Sequence, residues 1–214
     1  MVLPVLHALQ GHPESGALWA KHIAKHLTDL GFKPLKHAPC IWIGSMHHQD
    51  VLLCKQVDDF QIAAADKKTI DAVISAIGGR VRFIGNKDLM TRFNGANFIQ
   101  SRDYIKIHCL SFIDKILSSH GWNTPGKDDG KPIEPLHPDA VKELETISGP
   151  TVLEDKLTLE KEAGFGYRKA IGELLYAYVL CRLDIGYAMA ELSKFSQNPD
   201  RCHYNAVKRV FRYL

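Results

Sequence analysis

The sequence predicts an α+β fold in which residues 1–108 form a sheet packed with helices and residues 109–214 form a helical bundle. Three observations predict it. Before residue 108, short strand-like runs alternate with two segments of helical period; after Leu110 the periodicity is helical only. The chain is 214 residues long and 45% hydrophobic, enough to bury one sizeable core or two smaller ones.

From Ser15 the apolar residues Leu18, Trp19, Ile23, Leu27 and Leu30 recur at helical spacing, and Gly31 is placed to end that helix. Strands follow near 39–44, 51–57 and 60–64, the last two forming a hairpin. Asp66 can cap a helix over 67–77 whose apolar face is Ile70, Val73, Ile74 and Ile77, with Gly78-Gly79 as its stop. Strands near 80–84, 92–99 and 103–107 complete the first half. Phe112, Ile113, Ile116 and Leu117 then mark a helix ending at Gly121. The acidic Pro/Gly-containing stretch of about 123–163 breaks the periodicity, and its length predicts an excursion or mobile linker rather than a packed loop. Three more amphipathic helices are expected near 166–181, 184–197 and 200–213.

Composition narrows the class. No apolar run approaches the roughly 20 residues of a membrane helix, and Met1–His7 is too short, and lacks the basic flank, for a signal peptide. Five scattered cysteines without a C-x-x-C pair argue against a zinc site or a disulfide framework and for a reducing compartment. His47-His48 reads as a solvated hairpin turn. Residues 127–162 carry ten acids against five lysines, a net −5, so the remainder carries +8 within the overall +3. That asymmetry suits a basic surface along a phosphate backbone with an acidic loop kept off it; a solvated surface with ordinary scatter fits equally.

Asp58 and Asp59 interrupt two apolar runs, Val51–Val57 and Phe60–Ala65. Paired carboxylates at a strand turn offer the hard oxygens that Mg²⁺ prefers. An ordinary hairpin with a polar tip explains the same residues, since Asp is a good turn former.

In context, Lys55-Gln56-Val57-Asp58-Asp59-Phe60 resembles the [YFQ]-x-D-D hairpin of reverse transcriptases. Neighbouring blocks resemble the Ty1/copia-type retrotransposon reverse transcriptase in the same order. Ala8–Trp19 is similar to the segment leading into its long palm helix, and Arg92–Ile99 to its F-L-G block. Tyr167–Tyr176 and Cys181–Ile185 are similar to Y-R-x-x-x-G-x-L-x-Y and T-R-P-D-I, and His203–Leu214 to H-x-x-A-x-K-R-x-x-R-Y-L. Nearly the whole chain is covered.

The resemblance implies a partial polymerase palm, with an antiparallel sheet and packed helices, followed by an α-helical thumb bundle. It implies RNA-directed DNA polymerase chemistry, in which two Mg²⁺ or Mn²⁺ ions activate a primer hydroxyl and stabilise departing pyrophosphate. Asp58 becomes a direct metal ligand and Asp59 its support. Gln10, Gly11 and Gln56 become contacts to nucleotide and template, a plain turn before a helix being the other reading of Gln10-Gly11. Phe93 and Gly95 become the primer grip, where Asn94 replaces the usual Leu and an amide loses packing. Lys208, Arg209 and Arg212, with Arg201, become contacts to the nucleic-acid backbone, or else a solvated helix face. Lys87 lies near the family's pyrophosphate-protonating lysine. His12-Pro13-Glu14 departs from the commoner L-K-Q, and Leu183 replaces the usual Pro between two thumb helices. The implied partners are an RNA or DNA template with primer, and dNTPs, in a cytoplasmic retroelement particle or the nucleus, with no membrane.

The family's first metal-binding aspartate belongs to a strand before the Gln10-Gly11 segment, and no Asp precedes Asp29 here. The chain is therefore expected to hold an incomplete site and not to be a competent polymerase alone. Leu214 falls inside an amphipathic helix with no cap, which leads to the same expectation of a truncated piece. The missing parts would be N-terminal fingers and palm before it and a ribonuclease H portion after it.

Overall fold

The computed structural model describes residues 11–84, 89–122 and 130–214. The chain divides into two compact units, Met1–Met90 and Thr91–Leu214. The boundary expected at 108/109 differs from this division by one small sheet, which belongs to the second unit.

In the first unit, α1 (Ser15–Asp29) leads into β1 (Lys33–Leu35), β2 (Ala38–Met46), β3 (Gln49–Gln56) and β4 (Asp59–Ala63), followed by α2 (Lys67–Gly78). The four strands form an antiparallel meander in chain order. Trp42 pairs with Leu53 and Ile43 with Leu52. Because successive side chains point to opposite faces, Trp42, Val51 and Leu53 are buried while Ile43 and Leu52 face outward. Ile23 and Leu27 of α1, Phe32, and Val73 and Ile77 of α2 close the buried face. Leu18, read as part of the apolar stripe of α1, is exposed instead. The expected cap of α2 is present: the Asp66 carboxylate accepts the Thr69 N–H at 2.7 Å, and Gln49 also donates to it. His26 ties the two helices through its Nε2 and the Ile77 carbonyl, 3.1 Å apart. His47 and His48 form the β2–β3 turn at φ 52° and 60°, solvent-exposed as expected. No strand forms over 81–84; Val81 and Phe83 pack against the core without a ladder partner.

In the second unit, β5 (Arg92–Phe93), β6 (Ala96–Gln100) and β7 (Ile105–His108) make a three-stranded antiparallel sheet. Helices α3 (Leu110–Ser119), α4 (Pro138–Glu145), α5 (Leu153–Ala163), α6 (Tyr167–Leu180), α7 (Gly186–Ser193) and α8 (Arg201–Tyr213) follow, a 3₁₀ turn at Leu183–Ile185 preceding α7. The core joins Leu174 and Ala177 of α6, Ile185, Leu192 of α7, and Val207, Val210 and Phe211 of α8. The linker expected over 123–163 needs correction within 130–163. That segment holds two helices, and Leu136, Val141 and Leu144 are buried in the same core. Residues 123–129, with Asp128 and Asp129, lie outside the described residues. Nor does the acidic stretch stand apart from basic residues: Arg201 pairs with Glu162, and Lys194 with Glu145 at 3.5 Å. Leu183 leaves the neighbouring helices intact. Arg182 grips Asp184 through Nε and Nη2 at 2.9 and 2.7 Å and reaches the Leu214 carbonyl, so a charged fork fixes the bend.

His203 shows how the helical unit is pinned. The Asp200 backbone N–H donates to its Nδ1 at 2.8 Å, closing a capping box at the start of α8. The ring proton then sits on Nε2 and faces the Leu144 carbonyl at 3.1 Å. Phe195 stacks on the ring, with centroids 4.0 Å apart. Burial holds His203 below its ordinary 6.5, against the opposing pulls of the Leu144 carbonyl and the Asp200 carboxylate. The unfolded chain therefore takes up this proton first as pH falls through 6.5, and stability is lost below that value. Thermal unfolding of the chain is expected to show this acid loss, and His203→Phe to lack the share due to this ring while being less stable at neutral pH.

Candidate functional site

The strongest candidate is the β3–β4 hairpin. Lys55 pairs with Phe60 and Gln56 with Asp59, so the turn consists of Val57 and Asp58 alone. Val57 lies at φ 54°, a left-handed conformation that costs a β-branched residue about 1–3 kcal/mol. An anchor outside the hairpin holds it: the Trp19 indole N–H of α1 donates to the Val57 carbonyl at 2.7 Å. The hairpin thus presents Asp58 in the turn and Asp59 at the first strand position, both exposed, as is Gln56. In the sequence Trp19 reads as part of an apolar helical stripe and as the end of the Ala8–Trp19 block. A hydrogen bond spanning 38 residues has no sequence signature.

Two adjacent exposed carboxylates supply hard oxygens, which suits Mg²⁺ or Mn²⁺. Among the described residues no group of three or more His, Cys, Asp or Glu side chains is placed to hold a metal ion. Two carboxylates can supply part of the oxygen set that such an ion takes.

The other residues singled out by sequence fall as follows. Gly11 sits at φ 86° in the turn before α1, where the left-handed backbone favours glycine. Gln10 and Lys87 lie outside the described residues. Phe93 ends β5 and Gly95 lies in the β5–β6 turn, whose central residues Asn94 and Gly95 have φ 47° and 83°. Asn-Gly is the favoured pair for such a hairpin, so turn chemistry explains the Asn94 amide. The Tyr176 hydroxyl of α6 donates to the Asn94 carbonyl at 3.4 Å, and a Cβ on Gly95 would lie 3.2 Å from Tyr176 Cζ. Glycine is needed there for both space and backbone.

On α8, Lys208, Arg209 and Arg212 are exposed. Arg209 and Arg212 donate to the carbonyls of Glu134 and Gly130, at 3.4 and 3.0 Å, and the Lys208 ammonium sits 5.5 Å from the centroid of the Trp122 ring. These contacts fasten the 130–134 segment to α8. Each guanidinium carries five N–H donors, so capacity remains for other acceptors. Beside this face lies a cavity of about 360 Å³, lined in part by Arg201, Tyr204, Asn205 and Lys208.

Fold and site together define a mixed α+β chain whose most distinctive surface feature is an exposed carboxylate pair on a tight, externally anchored hairpin. Across its whole length the chain is similar to the retrovirus-related Pol polyprotein from transposon TNT 1-94 of Nicotiana tabacum, 25% identical over 220 residues that make up 16% of that polyprotein. It is 26% identical over 212 residues to a transposon Ty5-1 protein of Saccharomyces cerevisiae, covering 96% of this chain and 62% of that protein. A 48-residue stretch, 22% of the chain, is 42% identical to the secreted RxLR effector protein 161 of Plasmopara viticola, over 34% of its length. The chain thus spans less than two thirds of each of these relatives. No protein-family model matches it, and no solved structure matches it. The two long similarities support a retroelement-derived protein of the retrotransposon Pol type. Among the described residues, no helix is long and apolar enough to cross a membrane.

Proposed function

We propose that the chain is the palm-and-thumb portion of a Ty1/copia-type RNA-directed DNA polymerase that, on its own, holds primer–template duplex without extending it. The observation that carries this reading is the β3–β4 hairpin, with Asp58 and Asp59 exposed together at a turn fixed from outside by Trp19. In this reading the first unit is a partial palm and the helices of the second form the thumb. Asp58 is a metal ligand, and Asp59 supports it. The β5–β6 turn with Phe93 and Gly95 is the primer grip, and Lys208, Arg209 and Arg212 use their remaining donors on phosphates. Full activity would need a further carboxylate beside the hairpin, since two neighbouring acids repel each other and leave a divalent ion short of ligands. A second reading, a catalytically silent retroelement fragment that at most binds nucleic acid, is favoured by the way Arg209 and Arg212 are engaged by carbonyls of their own unit.

Binding of a labelled RNA–DNA primer–template to the chain, titrated with salt in the presence of a chelator, tests the shared core of both. Metal-independent binding is expected, with affinity falling linearly on a double-logarithmic salt plot, at a slope of about −0.9 per phosphate neutralised. No duplex binding at low salt overturns the proposal.

A further inference from the structure

Helix α5 buries no residue, yet it lies alongside α8. Polar struts hold it there. The Arg201 guanidinium of α8 pairs with Glu162 of α5, and the Lys156 ammonium of α5 donates to the Gln197 carbonyl, just before α8, at 3.2 Å. Helices packed for burial interdigitate and leave few voids larger than a water molecule. Here the cavity of about 360 Å³ stays open between the two, at the small end of the ~300–1,000 Å³ usual for ligand sites.

Its lining is sorted by chemistry. Gly164, left-handed at φ 81°, ends α5, and Phe165 follows it into the core. Phe165 and Tyr204, edge to face with centroids 5.2 Å apart, form an aromatic floor. Leu159 and Ala163 of α5 make an apolar wall. On the α8 side Arg201, Asn205 and Lys208 recur at i, i+4 and i+7, which is one helix face. Glu162 offsets Arg201, whereas among the described residues no carboxylate pairs with Lys208, so the lining keeps one net positive charge.

We propose that this cavity binds one nucleotide of a single strand, with the base against the aromatic floor and the phosphodiester at Lys208. A base offers a flat apolar face to Phe165, Tyr204 and the α5 wall, and a hydrogen-bonding edge to Asn205. The Asn205 side-chain amide carries both donors and an acceptor and, among the described residues, has no hydrogen-bond partner. The phosphodiester supplies the single negative charge that balances the lining. A bare phosphate would leave floor and wall unused, and a lipid chain would meet Asn205 and the ion pair. The α8 stripe continues to Arg212 at i+11, so a strand that follows its cations reaches the cavity. The site rests on the reading of Lys208 and Arg212 as phosphate contacts and adds a place for an unstacked base, which an intact duplex does not offer.

Fluorescence anisotropy tests the site with three probes: a labelled oligothymidylate, an abasic strand of the same length, and the primer–template duplex. Each is titrated with the wild-type chain, Asn205→Ala and Ala163→Phe. The wild-type chain is expected to bind oligothymidylate at least about fivefold more tightly than the abasic strand, the lower end for one base on an aromatic platform. Asn205 is exposed, so its truncation leaves packing intact; Ala163→Phe fills the cavity from α5. Both variants should lose most of the base preference and keep duplex affinity. Equal affinity for the two strands with duplex binding retained overturns the site, and so does a preference that survives both substitutions. Base preference without duplex binding would overturn the duplex reading and still support the site.

Discussion

Leu174→Ala is expected to destabilise the second unit by about 2–5 kcal/mol, the range for emptying a fully enclosed leucine site. Leu174 has no exposed surface and lies midway along α6, in the cluster that α7 and α8 complete with Leu192, Val207 and Val210. Helical backbone on every side leaves little freedom to collapse into the void. A loss of this size is a large part of the roughly 5–15 kcal/mol that keeps an ordinary domain folded. The buried cluster of the first unit shares no residue with that of the second. Hydrogen exchange should therefore show faster opening in α6, α7 and α8, with the protected strands of the first sheet unchanged. Equal loss of protection in β2 and β3 would mean that the units do not unfold separately.

Gly149→Ala is expected to cost about 1–3 kcal/mol or more, as overpacking does where nothing can yield. A Cβ there would lie 2.5 Å from the Asn198 carbonyl oxygen and press on the Pro199 carbonyl as well. Both obstacles are backbone, so no rotamer change relieves them, and the segment after α4 must move away from the turn before α8. Gly172→Ala supplies the control. Gly172 is exposed inside α6, and a Cβ there meets nothing within 4 Å. Removing a helical glycine should stabilise by about 0.5–1 kcal/mol. Urea denaturation of the two variants should therefore shift the midpoint in opposite directions. A neutral Gly149→Ala would contradict the close approach of Gly149 to the Asn198 and Pro199 carbonyls.

Much of this architecture is legible in the sequence because hydrophobic period reports burial directly. The alternation in Val51–Gln56, the helical spacing of Val73 and Ile77, and the Asp66 cap each correspond to an element in place. Failures occur where burial and period separate. Helix α5 buries no residue at all, and α4 buries only Val141 and Leu144, so a stretch rich in charge and proline hides two helices. Pro138 in the first turn of α4 is a start signal that the surrounding composition masks. Strand β1, three residues long with a proline at its centre, is too short to show a period. At 81–84 the reverse holds: Val81 and Phe83 alternate like a strand and are partly buried, but no neighbour pairs with them.

The candidate site follows the same rule. The carboxylate pair was visible because its two flanking runs alternate, and Asp-rich turns connect such runs. The strain at Val57 and the Trp19 hydrogen bond that holds it were not, since both depend on tertiary contact. Asn94 is instructive in another way: judged as a packing residue it looked unfavourable, yet its φ of 47° makes it a turn residue for which Asn is well suited.

The most direct test of the account is primer extension on an RNA template with Mg²⁺ or Mn²⁺, comparing the 214-residue chain with its Asp58→Asn variant while duplex binding is followed in the same samples. The account predicts salt-sensitive binding by both and extension by neither. Extension by the wild-type chain that disappears in Asp58→Asn would show that a complete metal site assembles within this chain, contradicting the claim that the hairpin pair is only part of one.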